Sequence, residues 1–137
     1  MKIGEIMTHN VQTTSPDTSL KDVAALMARI DCGAILVNDG DRLVGMITDR
    51  DIAIRGVAAG LGTDTPVGRL MSGDIHYCFE DEDVQHVAQN MAQIKMRRLP
   101  VLNRQKRLVG VVSLGNIASC HSERASDTVL RGVAQAH

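Results

Sequence analysis

Aromatic residues are almost missing from this 137-residue chain: one tyrosine, Tyr77, one phenylalanine, Phe79, and no tryptophan. That scarcity removes the stacking platforms on which single-stranded nucleic acids are gripped, so a base bound here has to be held by aliphatic walls. An excess of one charge is missing too. Fifteen Lys and Arg against sixteen Asp and Glu leave a formal net charge of -1, which gives no overall field to draw in a phosphate backbone or an anionic membrane. Neither nucleic acid nor membrane is an expected partner.

No run of 18 apolar residues occurs, and the opening Met-Lys-Ile-Gly-Glu-Ile-Met meets charge and glycine before any sustained apolar stretch. The expectation is a soluble cytoplasmic protein. The three cysteines, Cys32, Cys78 and Cys120, are odd in number and lack metal-ligand spacing. They read as reduced thiols and small buried hydrophobes; Cys120 beside His121, with Glu123 near, is the group that could touch a metal, but no metal site is expected. His9, His76, His86, His121 and His137 are scattered, no nucleophile stands beside a base, and no phosphate-cradling glycine motif occurs. Catalysis is therefore not expected.

What the chain does contain is a repeat. Ile3-Gly4-Glu5-Ile6-Met7 is answered 64 residues later by Val67-Gly68-Arg69-Leu70-Met71, and Leu20, Val23, Ala24, Met27 and Ile30 recur as Val84, Val87, Ala88, Met91 and Ile94. The i, i+3, i+4, i+7 spacing of those apolar positions predicts an amphipathic helix in each copy, with Ser19 and Asp83 as N-caps. One inserted residue shifts the offset, and Arg42-Leu43-Val44-Gly45 returns unchanged as Arg107-Leu108-Val109-Gly110. Across residues 3–37 with 67–101 and 42–55 with 107–120, 15 of 49 positions are identical, well above the few that chance supplies.

Each copy predicts a short strand around Val11 or Ile75, the helix, a strand through Ile35-Leu36-Val37 or Leu99-Pro100-Val101, and a polar turn at 38–41 or 103–106. A strand over 43–47 or 108–112 follows, then a helix opening near Thr48 or Ser113. The fold class is thus α/β (α+β), two tandem β-α-β-β-α repeats. Boundaries are placed at 1–58 for the first repeat, 59–66 for a linker in the Gly- and Thr-rich stretch from Gly56 to Pro66, 67–121 for the second repeat and 122–137 for a polar tail. Units of about 60 residues bury too little surface to stand comfortably alone, so the two are expected to pack together.

The order of elements, with Gly-Met-Ile-Thr-Asp-Arg-Asp-Ile at 45–52 and its degenerate echo Gly-Val-Val-Ser-Leu-Gly-Asn-Ile at 110–117, resembles the cystathionine-β-synthase (CBS) domain family. The likeness covers residues 1–121 and includes that family's tandem arrangement; the compact layout is similar to small stand-alone bacterial members of the hypoxic-response type. It implies two repeats packed about a pseudo-twofold axis, leaving clefts in which family members bind AMP, ADP, ATP or S-adenosylmethionine, although some members bind no ligand. It also implies regulation by a small adenosyl ligand rather than an obligatory cofactor, a homodimer, and a protein partner that the sequence does not name.

By the same resemblance, Thr48 and Asp51 of the G-x-x-T-x-x-D segment would hold the ribose. A carboxylate can accept from both vicinal hydroxyls. The local alternative is a capping box, in which the same two side chains satisfy backbone N–H groups at the helix start. Ser113 and Asn116 occupy the matching places in the second copy, where an amide replaces the charge and a weaker hold is expected. Arg97 and Arg98, with Lys95 close by, are the candidate phosphate contacts, of which strand alternation points only one into a cleft. The first copy has Gly33 and Ala34 there. Arg50 either reaches phosphate or pairs with neighbouring carboxylates. Adenine would lie against Ile35, Leu36 and Met46, with Thr13 supplying polar contacts. The competing expectation is a ligand-free dimerisation or protein-interaction module.

Overall fold

The structure, a computed structural model, describes residues 1–120. The expected tail at 122–137 lies outside them, as do His121, Glu123 and His137.

In the first repeat, β1 (Thr13–Thr14), α1 (Leu20–Ile30), β2 (Ala34–Asp39) and β3 (Arg42–Thr48) are followed by α2 (Asp49–Asp51), which runs on as a π-helix over Ile52–Val57. Helix α1 forms because Leu20, Val23 and Met27 fall on one face and bury there. Its start is fixed by the Ser19 hydroxyl, which accepts from the Asp22 N–H at 3.2 Å. It stops where Asp31 turns left-handed, at φ 54°. The sheet order is β1-β2-β3, with β1 parallel to β2 and β3 antiparallel to it. Gly40, at φ +68°, makes the tight turn between β2 and β3.

The second repeat repeats this as β4 (Cys78–Phe79), α3 (Val84–Ile94), β5 (Arg98–Leu102), β6 (Leu108–Ser113) and α4 (Leu114–Ser119), with sheet order β4-β5-β6. The Asp83 carboxylate caps α3 through the Gln85 N–H at 2.9 Å, and Lys95 ends it at φ 59°. Both copies therefore have the α/β fold that the pattern predicts. The first strands stand two to three residues later than Val11 and Ile75, because it is Thr13 and Cys78 that find partners, in Leu36 and Val101.

The compact units exchange leaders. Gln12–Ile75 form one unit, and Met1–Val11 join the residues from His76 onward in the other. Ile3 and Met7 thus sit in a core with Val84, Val87, Ala88, Met91, Leu99, Val101, Val112 and Ile117. Val67 and Leu70 sit in a core with Leu20, Val23, Met27, Ile35, Val37 and Ile47. Each leader is held by backbone bonds that include one reciprocal pair: Thr8 exchanges N–H and C=O with Val111 at 2.9 and 3.0 Å, and Ser72 does so with Met46 at 2.9 Å each way. Glycine makes room for this. A Cβ at Gly110 would stand 2.7 Å from the Thr8 carbonyl oxygen and from the Met7 sulfur, and one at Gly45 would stand 2.5 Å from the Met71 sulfur. The repeated Leu-Val-Gly and the repeated Met are thus two sides of one contact.

Gly56 belongs to the helical run and is buried. A side chain there would meet Leu20 and Leu70 methyls at 3.1 and 3.3 Å.

Candidate functional site

In the 12–75 unit the register pairs Thr13 with Leu36, Ile35 with Ile47, Leu36 with Met46 and Ala34 with Thr48. Since successive side chains leave opposite faces of a strand, Thr13, Leu36, Met46 and Thr48 share one face. Ile35, Val37 and Ile47 share the other, which is the core. Ile35, 2% exposed, is thereby turned away from the face that carries the other candidates, because it lies one residue out of phase with them. Leu36 is buried but stands outside that core cluster.

Thr48 and Asp51 form the reciprocal box: the Asp51 N–H donates to the Thr48 hydroxyl oxygen and the Thr48 N–H donates to Asp51 Oδ2, both at 3.0 Å. The box leaves groups over. The Thr48 hydroxyl accepts and keeps its own proton to donate, and Asp51 keeps lone pairs on both oxygens. Arg55 Nε stands 3.9 Å from Asp51 Oδ1, while its Nη1 donates to the Leu70 carbonyl at 3.3 Å. Capping and ligand binding are chemically compatible here.

Arg50 is exposed, and its backbone N–H donates to Asp49 Oδ1 at 2.8 Å. Asp49 also closes over Gly33: its N–H donates to the Gly33 carbonyl at 2.9 Å, and a Cβ on Gly33 would be 2.9 Å from Asp49 Oδ2.

In the other unit the box is filled differently. The Asn116 N–H donates to Ser113 Oγ at 3.1 Å and the Ser113 N–H donates to Asn116 Oδ1 at 2.9 Å. The Ser113 hydroxyl spends its proton on Asn116 Oδ1 at 2.9 Å, and the Asn116 amide donates to Thr8 Oγ1 at 3.3 Å. Arg98 pairs with Ser113 across β5 and β6 and shares the face of Pro100, opposite to core residues Leu99 and Val101. Arg97 precedes the strand, its carbonyl accepting from the Leu114 N–H at 2.9 Å. Both guanidiniums are exposed. The candidates thus divide into one set on the 12–75 unit (Thr13, Leu36, Met46, Thr48, Arg50 and Asp51, with Ile35 on the opposite face) and one on the other (Arg97, Arg98, Ser113, Asn116).

Sequence reasoning missed a clamp at the edge of β4. Arg104 grips Asp81 through two bonds of 2.7 and 2.8 Å and lays its guanidinium 4.1 Å from the Phe79 ring centre, while Tyr77 meets Phe79 edge-on at 5.6 Å. The Arg104 hydrogen bonds hold the Asp81 carboxyl below its ordinary range. Burial, helped by Glu82, pushes the Cys78 thiol up to about 12. Among the described residues no three of His, Cys, Asp and Glu gather closely enough to hold a metal ion. No helix among them is long and apolar enough to cross a membrane.

The chain is 40% identical over 116 residues to the CBS domain-containing protein YhcV of Bacillus subtilis, covering 85% of this chain and 82% of that one. Its fold matches the crystal structure of Hypoxic Response Protein I with two coordinated zinc ions at a TM-score of 0.75 and 36% identity, over 88% of this chain and 98% of that one. The AMP complex of CBSX2 matches at a TM-score of 0.73 and 24% identity, over 95% and 98% of the two chains. The model of the CBS domain matches twice, at residues 3–56 and 67–123. With both copies matched and YhcV related over most of its length, the chain belongs to the CBS domain family, as a tandem pair of the kind that serves as a regulatory module.

Proposed function

We propose that this chain is a non-enzymatic sensor that binds a small adenosyl ligand, of the AMP, ADP, ATP or S-adenosylmethionine kind, at the Thr48–Asp51 face of the 12–75 unit. The observation that carries the reading is the unspent half of the capping box: a hydroxyl proton and carboxylate lone pairs beside an apolar pair, Leu36 and Met46, on one sheet face. A ribose diol fits those groups, since a carboxylate accepts two hydroxyl bonds in charge-assisted form. Leu36 and Met46 then offer the aliphatic wall for adenine. Thr13, on the same face, supplies a hydroxyl. That the related fold of CBSX2 is found with AMP is consistent with this reading.

The ligand regulates only to the extent that it favours one arrangement of the protein over another. Thermal melts with adenosine, AMP, ATP and S-adenosylmethionine test the proposal: a dose-dependent rise of the transition with at least one supports it, and no shift with any rejects it. The sensor is proposed to work in the cytoplasm with its thiols reduced.

A second reading, association with another copy, is favoured by Ile54 and Val57, which are 55% and 72% exposed on one helical run. It is compatible with the first. Ile54→Lys together with Val57→Lys would then convert a dimer to a monomer in analytical ultracentrifugation, and an unchanged species would reject that surface.

A further inference from the structure

Asp31 and Lys95 are the left-handed residues that end α1 and α3, and they occupy matching places in the repeat. Gly33 and Ala34 correspond to Arg97 and Arg98; Asp49 and Asp51 correspond to Leu114 and Asn116. At these matched positions the first copy thus carries three carboxylates, Asp31, Asp49 and Asp51, with Arg50 as the countercharge between the last two. At the same positions the second copy carries three cations, Lys95, Arg97 and Arg98, and no carboxylate. The structure shows how the first arrangement is held. Residue 33 has no side chain, and the Asp49 carboxylate fills the space a Cβ would take, 2.9 Å from it. There it is fixed by the Arg50 N–H at 2.8 Å, while the Asp49 N–H bonds the Gly33 carbonyl at 2.9 Å. In the other unit the same backbone bond, Leu114 N–H to Arg97 carbonyl at 2.9 Å, joins an apolar residue to a cation.

We infer that the Thr48–Asp51 site selects its adenosyl ligand by the charge of the 5′ substituent, preferring an uncharged or cationic group to a polyphosphate, with Asp49 seated on Gly33 as the specificity-determining pair. The inference rests on the ligand reading above. Its physics is Coulombic: a phosphate brought beside a carboxylate at a protein surface is disfavoured by about tenfold in affinity per close pair, whereas a sulfonium is attracted. Arg55, the other cation nearby, is engaged with the Leu70 carbonyl and Asp51 and does not reverse the sign. Asp51, needed for the diol, adds to the repulsion.

Calorimetric titration of the full chain with adenosine, S-adenosylmethionine, AMP and ATP tests this. The wild type is expected to bind adenosine and S-adenosylmethionine at least tenfold more tightly than ATP, with the gap shrinking as salt screens the carboxylates. Asp49→Asn, which keeps the shape and an acceptor for the Arg50 N–H, narrows the gap severalfold. Gly33→Arg with Asp49→Leu, which installs the residues standing at 97 and 114, inverts it. ATP as the tightest wild-type ligand, or an ATP-to-adenosine ratio that Asp49→Asn leaves unchanged, overturns the inference while the ligand reading stands. Binding of none of the four overturns both.

Discussion

The side-chain amide of Asn116 donates to the Thr8 hydroxyl oxygen at 3.3 Å, whereas Asp51, at the matching place, makes no bond to Ser72, the residue that matches Thr8, among the described residues. The Ser113–Asn116 box therefore spends its hydroxyl proton and one amide hydrogen within the protein, whereas the Thr48–Asp51 box keeps its hydroxyl proton. With its hydroxyl proton given to Asn116 Oδ1, Ser113 has nothing left to donate without breaking a bond. Titration should accordingly give one adenosyl ligand per chain. Thr8→Ala with Asn116→Asp removes the competing hydroxyl and supplies a carboxylate, and calorimetry of that variant should show a second, weaker site. Two equal sites in the wild type would contradict the closure.

Thr48→Ala deletes the hydroxyl that accepts from the Asp51 N–H. Loss of an N-cap of this kind costs about 0.5–2 kcal/mol. Denaturant melts should show that loss with an unchanged slope, since the surface exposed on unfolding is the same.

Gly110→Ala puts a methyl 2.7 Å from the Thr8 carbonyl oxygen, which is backbone and bonded to Val111. Met7 can swing aside, but the carbonyl cannot. The variant should lose about 1–3 kcal/mol, the usual cost of overpacking. At Gly40, where nothing lies within 4 Å of an added Cβ but φ is +68°, alanine would destabilise through backbone strain alone. Comparing the two melts separates crowding from conformation.

Acid sensitivity has a named contributor. Arg104 lowers the folded-state pKa of Asp81 from its ordinary 3.8, so the pair's stabilisation is present above that value and is lost as pH falls through the lower folded one. Asp81→Asn should flatten the acid limb of the stability curve below about pH 4, and salt should mimic it, since the pair is exposed. An acid limb identical in both proteins would dismiss the clamp.

Cys78 works in the opposite direction. Its thiol is raised from 9.0 to about 12, so the folded state keeps the proton. The related stability is intact below pH 9 and declines as pH rises toward 12. At pH 8 an alkylating reagent should modify Cys78 only as fast as the protein opens. Mass spectrometry of peptides labelled before and after unfolding reads this directly.

Much of this was legible because it is local. Helices α1 and α3 write their burial in an i, i+3, i+4, i+7 pattern. The Thr48–Asp51 and Ser113–Asn116 boxes are four residues long, so their geometry follows from the helix start itself. Thr13 and Cys78 were harder: two-residue strands carry no alternation, and only their partners Leu36 and Val101 locate them. Glycine signals a breaker locally, whereas the cause of Gly56 lies 36 and 14 residues away in Leu20 and Leu70. The leader exchange is the most distant effect. Met7 and Gly110 both belong to repeated motifs, but nothing in one chain says that the Met of one copy packs on the Gly of the other. In the sequence Asp49 reads only as a neighbour of Arg50, because its place depends on the missing side chain at Gly33.

The ligand account turns on whether the Asp51 carboxylate does more than cap a helix. Asp51→Asn separates the two roles, since Asn116 shows that an amide closes the same box with a 2.9 Å bond. Calorimetric titration of wild type and Asp51→Asn with adenosine, alongside their thermal melts, is the most direct measurement. The account predicts nearly equal melting temperatures and an affinity at least tenfold weaker in the variant, as expected when a charge-assisted bond becomes a neutral one. Equal affinities, or an affinity loss matched by an equal loss of stability, would contradict it and leave Asp51 as a cap.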